Sequence, residues 1–329
     1  MVRRGLIVGK FYPPHRGHKF LIDSARARVD ELTVIVCRKD GESPSGESRA
    51  GWLREIHKDV RVLLIDDTLD EQDSRVWAEN SMRLIGHRPD VLFTSEDYGD
   101  EFARRLGCAH IQLDKERAAV NISATRVRRD PFGCWEFLEP PARGFYALRV
   151  CIVGAESTGK TTLAEALARH FGTVWVPEYG REYSERKLAE GGGYDFSTEE
   201  FTHIAARQCE IEDEAARRAN KILICDTDAF ATSVWHRRYL NARSTEVERI
   251  VARHRRPDLY LLTDIRTPFV QDGMRDGEHV REWMHETFVE ELRARSLPYR
   301  RVSGAHGERL SRAVGYIEEL LAARRRAED

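Results

Sequence analysis

The chain has 329 residues, room for two ordinary domains, and its 53 lysines and arginines nearly balance 55 aspartates and glutamates, leaving a formal net charge of -2. That balance argues against a dedicated nucleic-acid or membrane-surface protein, and no stretch approaches the ~20 apolar residues that span a bilayer. The six cysteines are scattered with no CxxC pair, and the first apolar stretch breaks at Gly9-Lys10, so a cytoplasmic protein with neither disulfide framework nor zinc site is expected.

The first apolar run, Leu6-Ile7-Val8, ends in glycine and leads into a helical pattern near Lys19 to Arg28. Strands are then expected at Leu32 to Cys37, Val62 to Ile65 and Val91 to Thr94, with helices through Trp52 to His57 and Trp77 to Ile85 between them. Pro140-Pro141 and Gly144 interrupt the pattern and mark a boundary, giving domains 1–143 and 144–329. The second half repeats the scheme, with strands at 148–153, 174–176, 222–225, 259–262 and 299–302 and helices near 160–170, 199–219, 282–295 and 307–326. Such alternation predicts an α/β chain made of two doubly wound, mostly parallel sheets with both faces covered.

The strand expected at 148–153 runs into Gly154-Ala155-Glu156-Ser157-Thr158-Gly159-Lys160-Thr161, which opens a helix through Thr162. This G-x-x-x-x-G-K-[ST] pattern is a P-loop: backbone N–H groups turn inward around phosphate oxygens, and the helix adds its positive end. Lys160 is expected to reach the β and γ phosphates of ATP and Thr161 to ligate Mg²⁺. A second carboxylate source is the apolar strand ending in Asp226-Thr227-Asp228. There Asp226 is the first choice for the magnesium shell and Asp228 for a substrate hydroxyl, with helix capping as the alternative. Glu178 follows the next strand, where a carboxylate can take the proton of an attacking hydroxyl; a surface acid is the competing reading. Arg275 and Arg281 lie in the run 271–281, whose glycines Gly273 and Gly277 suggest a mobile lid, and they read as lid arginines that close on a transferring phosphate, or as part of a solvated charged loop.

In the first half, Gly9-Lys10-Phe11-Tyr12-Pro13-Pro14-His15-Arg16-Gly17-His18 places two imidazoles at the entry to a helix. Two N–H donors at that positive end suit the charge that builds on an attacked α-phosphorus. Downstream, Asn121-Ile122-Ser123-Ala124-Thr125-Arg126-Val127-Arg128 reads either as helix caps or as hydroxyls and a guanidinium that clamp a triphosphate.

Together, G-x-F-x-P-x-H-x-G-H and I-S-A-T-x-x-R resemble the nucleotidyltransferase superfamily, and within it the nicotinamide mononucleotide adenylyltransferases. The P-loop half, with E-Y-x-R-E-Y, D-T-D and Q-D-G-x-R-x-G, resembles ribosylnicotinamide kinases. The whole chain resembles the bifunctional NadR-like family, which implies a Rossmann-like nucleotidyltransferase followed by a P-loop kinase. The resemblance implies two ATP- and Mg²⁺-dependent reactions on nicotinamide riboside and nicotinamide mononucleotide (NMN). It assigns His15 and His18 to adenylyl transfer, Gly9 and Phe11 to the same nucleotide site, and Ser123, Thr125 and Arg128 to the ATP phosphates. Trp77 in the first domain, and Tyr179 and Trp235 in the second, are candidates for substrate contact. Some members carry an additional helix-turn-helix segment; with the first strand starting at Gly5, no sequence-specific DNA binding is expected here, while a homo-oligomer is left open. The rival readings are a coenzyme A pathway fusion, whose P-loop is richer in glycine and serine than Glu156-Ser157-Thr158, and a nucleotide sensor without turnover.

Overall fold

The computed structural model describes residues 2–67, 74–193, 195–270 and 278–326. The chain divides into two compact units, the first ending at Ala142 and the second beginning at Arg143.

In the first unit the order is β1 (Arg4–Gly9), α1 (Arg16–Arg26), β2 (Glu31–Arg38), α2 (Gly46–Ile56), β3 (Arg61–Asp66), α3 (Ser74–Ile85), β4 (Val91–Thr94), α4 (Gly99–Leu106), β5 (Ala109–Gln112) and α5 (Ala124–Arg129). The strands form one sheet in the order β3-β2-β1-β4-β5, every neighbouring pair parallel. Alternate residues of a strand point to opposite faces. Accordingly Ile7, Val34, Val62 and Phe93 join one buried cluster with α1 and α2, while Leu6, Val8, Ile35 and Leu92 join another with α3 and α4.

The helix α6 (Pro140–Tyr146) bridges to the second unit, whose elements are β6 (Leu148–Val153), α7 (Lys160–Phe171), β7 (Trp175–Val176), α8 (Tyr179–Ala189), α9 (Thr198–Ala216), β8 (Ile222–Asp226), α10 (Ala229–Leu240), α11 (Thr245–Arg253), β9 (Leu259–Thr263), α12 (Arg281–Ala294), β10 (Tyr299–Val302) and α13 (His306–Arg326). Its parallel sheet has the order β10-β9-β6-β8-β7. The core between this sheet, α7 and α13 is built from Val150, Ile152, Ile224, Leu261, Leu163 and Ile317. In each sheet the strand that precedes the glycine loop, β1 or β6, lies in the middle and is paired on both sides. Side chains at its carboxyl end therefore face the crevice where parallel α/β sheets bind ligands.

Where Pro140-Pro141 and Gly144 suggest an interruption, the structure has the short helix α6. Proline is tolerated in the first turn of a helix because the N–H it lacks has no partner there. Among the described residues no helix is long and apolar enough to cross a membrane.

Candidate active sites

In the first unit, His15 is the N-cap of α1, with extended backbone at φ -147°. Its Nδ1 accepts the amide N–H groups of Gly17 (3.1 Å) and His18 (3.4 Å). A neutral imidazole that accepts at Nδ1 carries its proton on Nε2. Among the described residues, neither that buried Nε2 nor the buried Nδ1 of His18 has a hydrogen-bond partner. The two rings stack 3.8 Å apart, and Phe11 sets its edge against His18 at 4.9 Å. Burial, then the nearby Arg117 cation, lowers the His15 pKa to about 4. Burial, His15 and Arg117 together push His18 well below the usual imidazole range. Both rings are therefore neutral N–H donors at pH 7, each with one donor or acceptor atom left for a ligand.

Gly17 is closely packed. A Cβ there would sit 3.0 Å from the His15 ring and 3.2 Å from Ile122. This places the 121–128 segment against the start of α1. Ser123 caps α5 by accepting the Arg126 amide at 3.2 Å, so its hydroxyl takes the capping role. Arg128 donates to the Tyr12 carbonyl and to Thr125 Oγ1 (3.2 Å) and lies over the Tyr12 ring. Thr125 and Arg128 are exposed, and the structure brings them to the 9–18 loop. Gly9 ends β1, with Phe11 beneath it at positive φ. Trp77 is half-buried on α3 and packs against the cluster containing Val8 and Leu92.

In the second unit the P-loop joins β6 to α7. Gly154 has φ +149°, and a Cβ there would meet Thr263 Oγ1 at 2.2 Å. Gly159 is the N-cap of α7 in the left-handed region, with no side-chain cap, so the first amides of the helix are left to a ligand. Thr158 Oγ1 meets Thr263 Oγ1 at 2.7 Å and donates to Ala155 O at 2.8 Å. Lys160 is buried, and its ammonium donates to Ala155 O at 3.1 Å. Thr161 donates to Asp226 Oδ2 at 2.5 Å, while Asp226 Oδ1 is buried with no partner among the described residues. Burial raises the Asp226 pKa against the opposing pull of Lys160 and the Thr161 hydrogen bond. Glu178 sits at the N-cap of α8, and its side chain does not cap the helix. Burial, and then the Asp226 charge, lift its pKa to about 7 against the pull of Lys160.

Glu156 to Thr162, Glu178, Gly180, Arg181, Phe196, Phe201, Trp235 and Tyr239 line one cleft, and Asp226 stands behind Thr161, outside the lining. The Trp235 indole N–H is buried and has no partner among the described residues. Glu156 is held by Arg238 at 2.6 Å, and Ser157 Oγ accepts the Val270 amide at 2.8 Å.

Asp228, Tyr179 and Arg281 are not among the residues that line the cleft. Asp228 Oδ1 caps α10 through the Ala231 amide at 2.9 Å, and its Oδ2 accepts the Tyr260 hydroxyl at 2.6 Å, so both oxygens are engaged away from a substrate. Tyr179 is buried as well; its hydroxyl meets His203 and Arg186, both at 3.1 Å, and the cleft is lined instead by its neighbours Gly180 and Arg181. Arg281 donates to the Thr267 carbonyl at 2.8 Å and lies over the Phe269 ring, which anchors the start of α12. Arg275 lies outside the described residues. Sequence reasoning missed Phe196, Phe201, Gln208 and Arg238. All four sit on or next to helices and carry no motif; the aromatics Phe196 and Phe201 around the start of α9, with Trp235 and Tyr239 on α10, were the available signal.

Family models match both halves: the cytidylyltransferase-like family over residues 6–130 and an AAA domain over residues 149–309. The trifunctional NAD biosynthesis/regulator protein NadR of Salmonella typhimurium is 30% identical over 344 residues, covering 96% of this chain and 83% of that protein. A crystal structure of NadR protein in complex with NR superposes with a TM-score of 0.81 at 23% identity over 98% of this chain and 97% of the other. A second NadR structure, in complex with NAD and AMP-PNP, gives 0.78 at 23% identity with the same coverage. At that identity the two structures establish the shared fold, and the full-length sequence match carries the kinship. The chain belongs to the NadR family.

Proposed function

We propose that the chain is a bifunctional NAD salvage enzyme. The second unit phosphorylates nicotinamide riboside with ATP to give NMN and ADP. The first unit joins NMN to the adenylyl group of a second ATP, releasing pyrophosphate and NAD. The observation that carries this reading is the match to NadR over nearly the whole chain, with both phosphate sites in place along it.

In the kinase half, Glu178 accepts the proton of the riboside 5′-hydroxyl as its oxygen attacks the γ-phosphorus. A carboxylate with a pKa near 7 is well matched to that task at neutral pH. Lys160 exchanges the Ala155 carbonyl for phosphate oxygens. The oxygen donors of Thr161 and the unpartnered Asp226 Oδ1 fit a hard divalent cation that keeps part of its water shell. When bound there, Mg²⁺ would neutralise charge on the β and γ phosphates. The aromatic wall of Phe196, Phe201, Trp235 and Tyr239 suits the cationic pyridinium ring of the riboside, and the free indole N–H suits its carboxamide oxygen.

In the other half, a phosphate oxygen of NMN attacks the α-phosphorus directly, with no covalent enzyme intermediate. The Nε2–H of His15 and the His18 imidazole supply hydrogen bonds to the charge that builds there. Thr125 and Arg128 hold the outgoing phosphates. The test is a division of labour: Lys160→Ala should abolish riboside phosphorylation and spare adenylylation of supplied NMN, and His18→Ala should do the reverse. Loss of both activities from either change in a folded protein would refute the two-site reading.

A further inference from the structure

Arg309 stands in the first turn of α13, far in sequence from any phosphate motif, and is buried. Its guanidinium gathers three segments. Nη1 donates to the Thr158 carbonyl of the P-loop at 2.6 Å, Nε donates to the Gly304 carbonyl at 2.8 Å, and Nη2 donates to Thr267 Oγ1. Among the described residues no carboxylate forms an ion pair with it. All its partners are neutral oxygens.

Two physical consequences follow. In a planar trans peptide the carbonyl and the next N–H point in opposite directions. Holding the Thr158 carbonyl on the Arg309 side therefore fixes the Gly159 amide toward the other side, the cleft that Gly159 lines. Nη1 also lies 3.4 Å from where a Gly159 Cβ would be, so a full positive charge sits directly behind the loop. A buried cation without a counter-charge is unfavourable, and an anion arriving in the adjacent loop relieves it. Thr267 couples the same group to the segment after β9. That segment also docks on the P-loop through Val270 and is tied to α12 by Arg281.

We propose that Arg309 is a positioning residue of the kinase reaction: it presets the P-loop peptide at Thr158-Gly159 and supplies uncompensated positive charge for the ATP phosphates. The inference rests on the kinase reading of this unit. It assigns Arg309 to nucleotide affinity, with no part in proton transfer or in riboside binding.

The test is steady-state riboside phosphorylation by the full chain and by Arg309→Met, Arg309→Lys and Thr267→Val, with ATP and riboside varied separately. Arg309→Met should raise the KM for ATP about tenfold or more, the usual scale for losing a charge-assisted hydrogen bond. Its kcat, its KM for the riboside and its NMN adenylylation should stay within about twofold, since neither reacting group nor the other site is touched. Arg309→Lys keeps the charge and should recover part of the ATP affinity. Thr267→Val, which removes one acceptor, should shift that KM least. An unchanged KM for ATP in Arg309→Met overturns the proposal, as does an equal loss of kcat and of both affinities in the Met and Lys variants. If the Met variant does not fold, the Lys variant decides: an ATP KM at the wild-type value overturns the proposal. Should the wild-type protein release no ADP from ATP and riboside, the kinase reading itself fails. Titration with a fluorescent ATP analogue then reads Arg309 directly, with the same tenfold loss expected and equal affinity contradicting it.

Discussion

The two units solve one problem with different donors. Each has a central parallel strand, a glycine-containing loop and a helix whose N-terminus faces the ligand crevice. At α1 the cap is His15, whose imidazole uses up the Gly17 and His18 amides and offers its own Nε2–H in their place. At α7 the cap is Gly159, which has no side chain, so the backbone amides remain available. On the proposed function, the first arrangement would direct a few hydrogen bonds at one phosphorus, suited to adenylyl transfer. The second would wrap a run of amides, Lys160 and Thr161 around several phosphate oxygens, suited to gripping a whole triphosphate tail. A helix N-terminus is thus a common starting point, and the capping residue decides what chemistry it serves.

The comparison is broken most severely at Lys160. Lys160→Ala should lower riboside phosphorylation by about 10²–10³-fold, the cost of deleting a principal charge stabiliser, and leave adenylylation of supplied NMN within about twofold. Product analysis by chromatography reads both. If the two activities fell together, the units would not be separate sites.

Glu178→Gln should cost about 10²-fold in the same half. The pH profile sharpens the point. Burial raises the Glu178 pKa to about 7, so the active carboxylate is lost as pH falls through that value. The kcat/KM for the riboside should drop between pH 8 and pH 6 in the wild type, and the Gln variant should lack that limb. A flat wild-type profile would remove Glu178 from the base role.

On the other side of the comparison, His15→Ala should lower adenylyl transfer by tenfold to about 10²-fold and destabilise the first unit by about 1 kcal/mol through loss of the cap. His15→Asn restores a good cap acceptor and should recover the melting temperature without the activity. Recovery of both would mean that capping was all His15 did. The smallest effect is spectroscopic. Burial and Arg117 hold the His15 pKa near 4 in the free protein, and phosphates placed beside the ring favour its protonated form. Adding ATP should therefore raise that pKa in an NMR titration; no change would place the phosphates elsewhere.

Much of this was legible in the chain itself. Fully buried parallel strands such as Leu148–Val153 and Ile222–Asp226 read as mainly apolar runs, the first interrupted by Arg149 and the second ended by Asp226, and the glycine spacings of both loops impose backbone geometry that few other sequences meet. Elements with little burial were not legible. β5 has no buried residue, and α8 buries only Tyr179 among its charges, so neither shows a period. Asp228 misled because an acid after a strand looks alike whether it faces a substrate or caps the next helix; the Tyr260 hydroxyl that engages it comes from a different strand. Arg309 could not be found at all. Its meaning depends on where α13 begins relative to a loop about 150 residues earlier in the chain.

The central claim is that one chain carries riboside to dinucleotide in two steps. It is tested most directly by incubating the protein with nicotinamide riboside, ATP and Mg²⁺ and following products over time. The account predicts ADP and NMN first, then NAD with pyrophosphate. ATP binding without release of either ADP or NMN would contradict it.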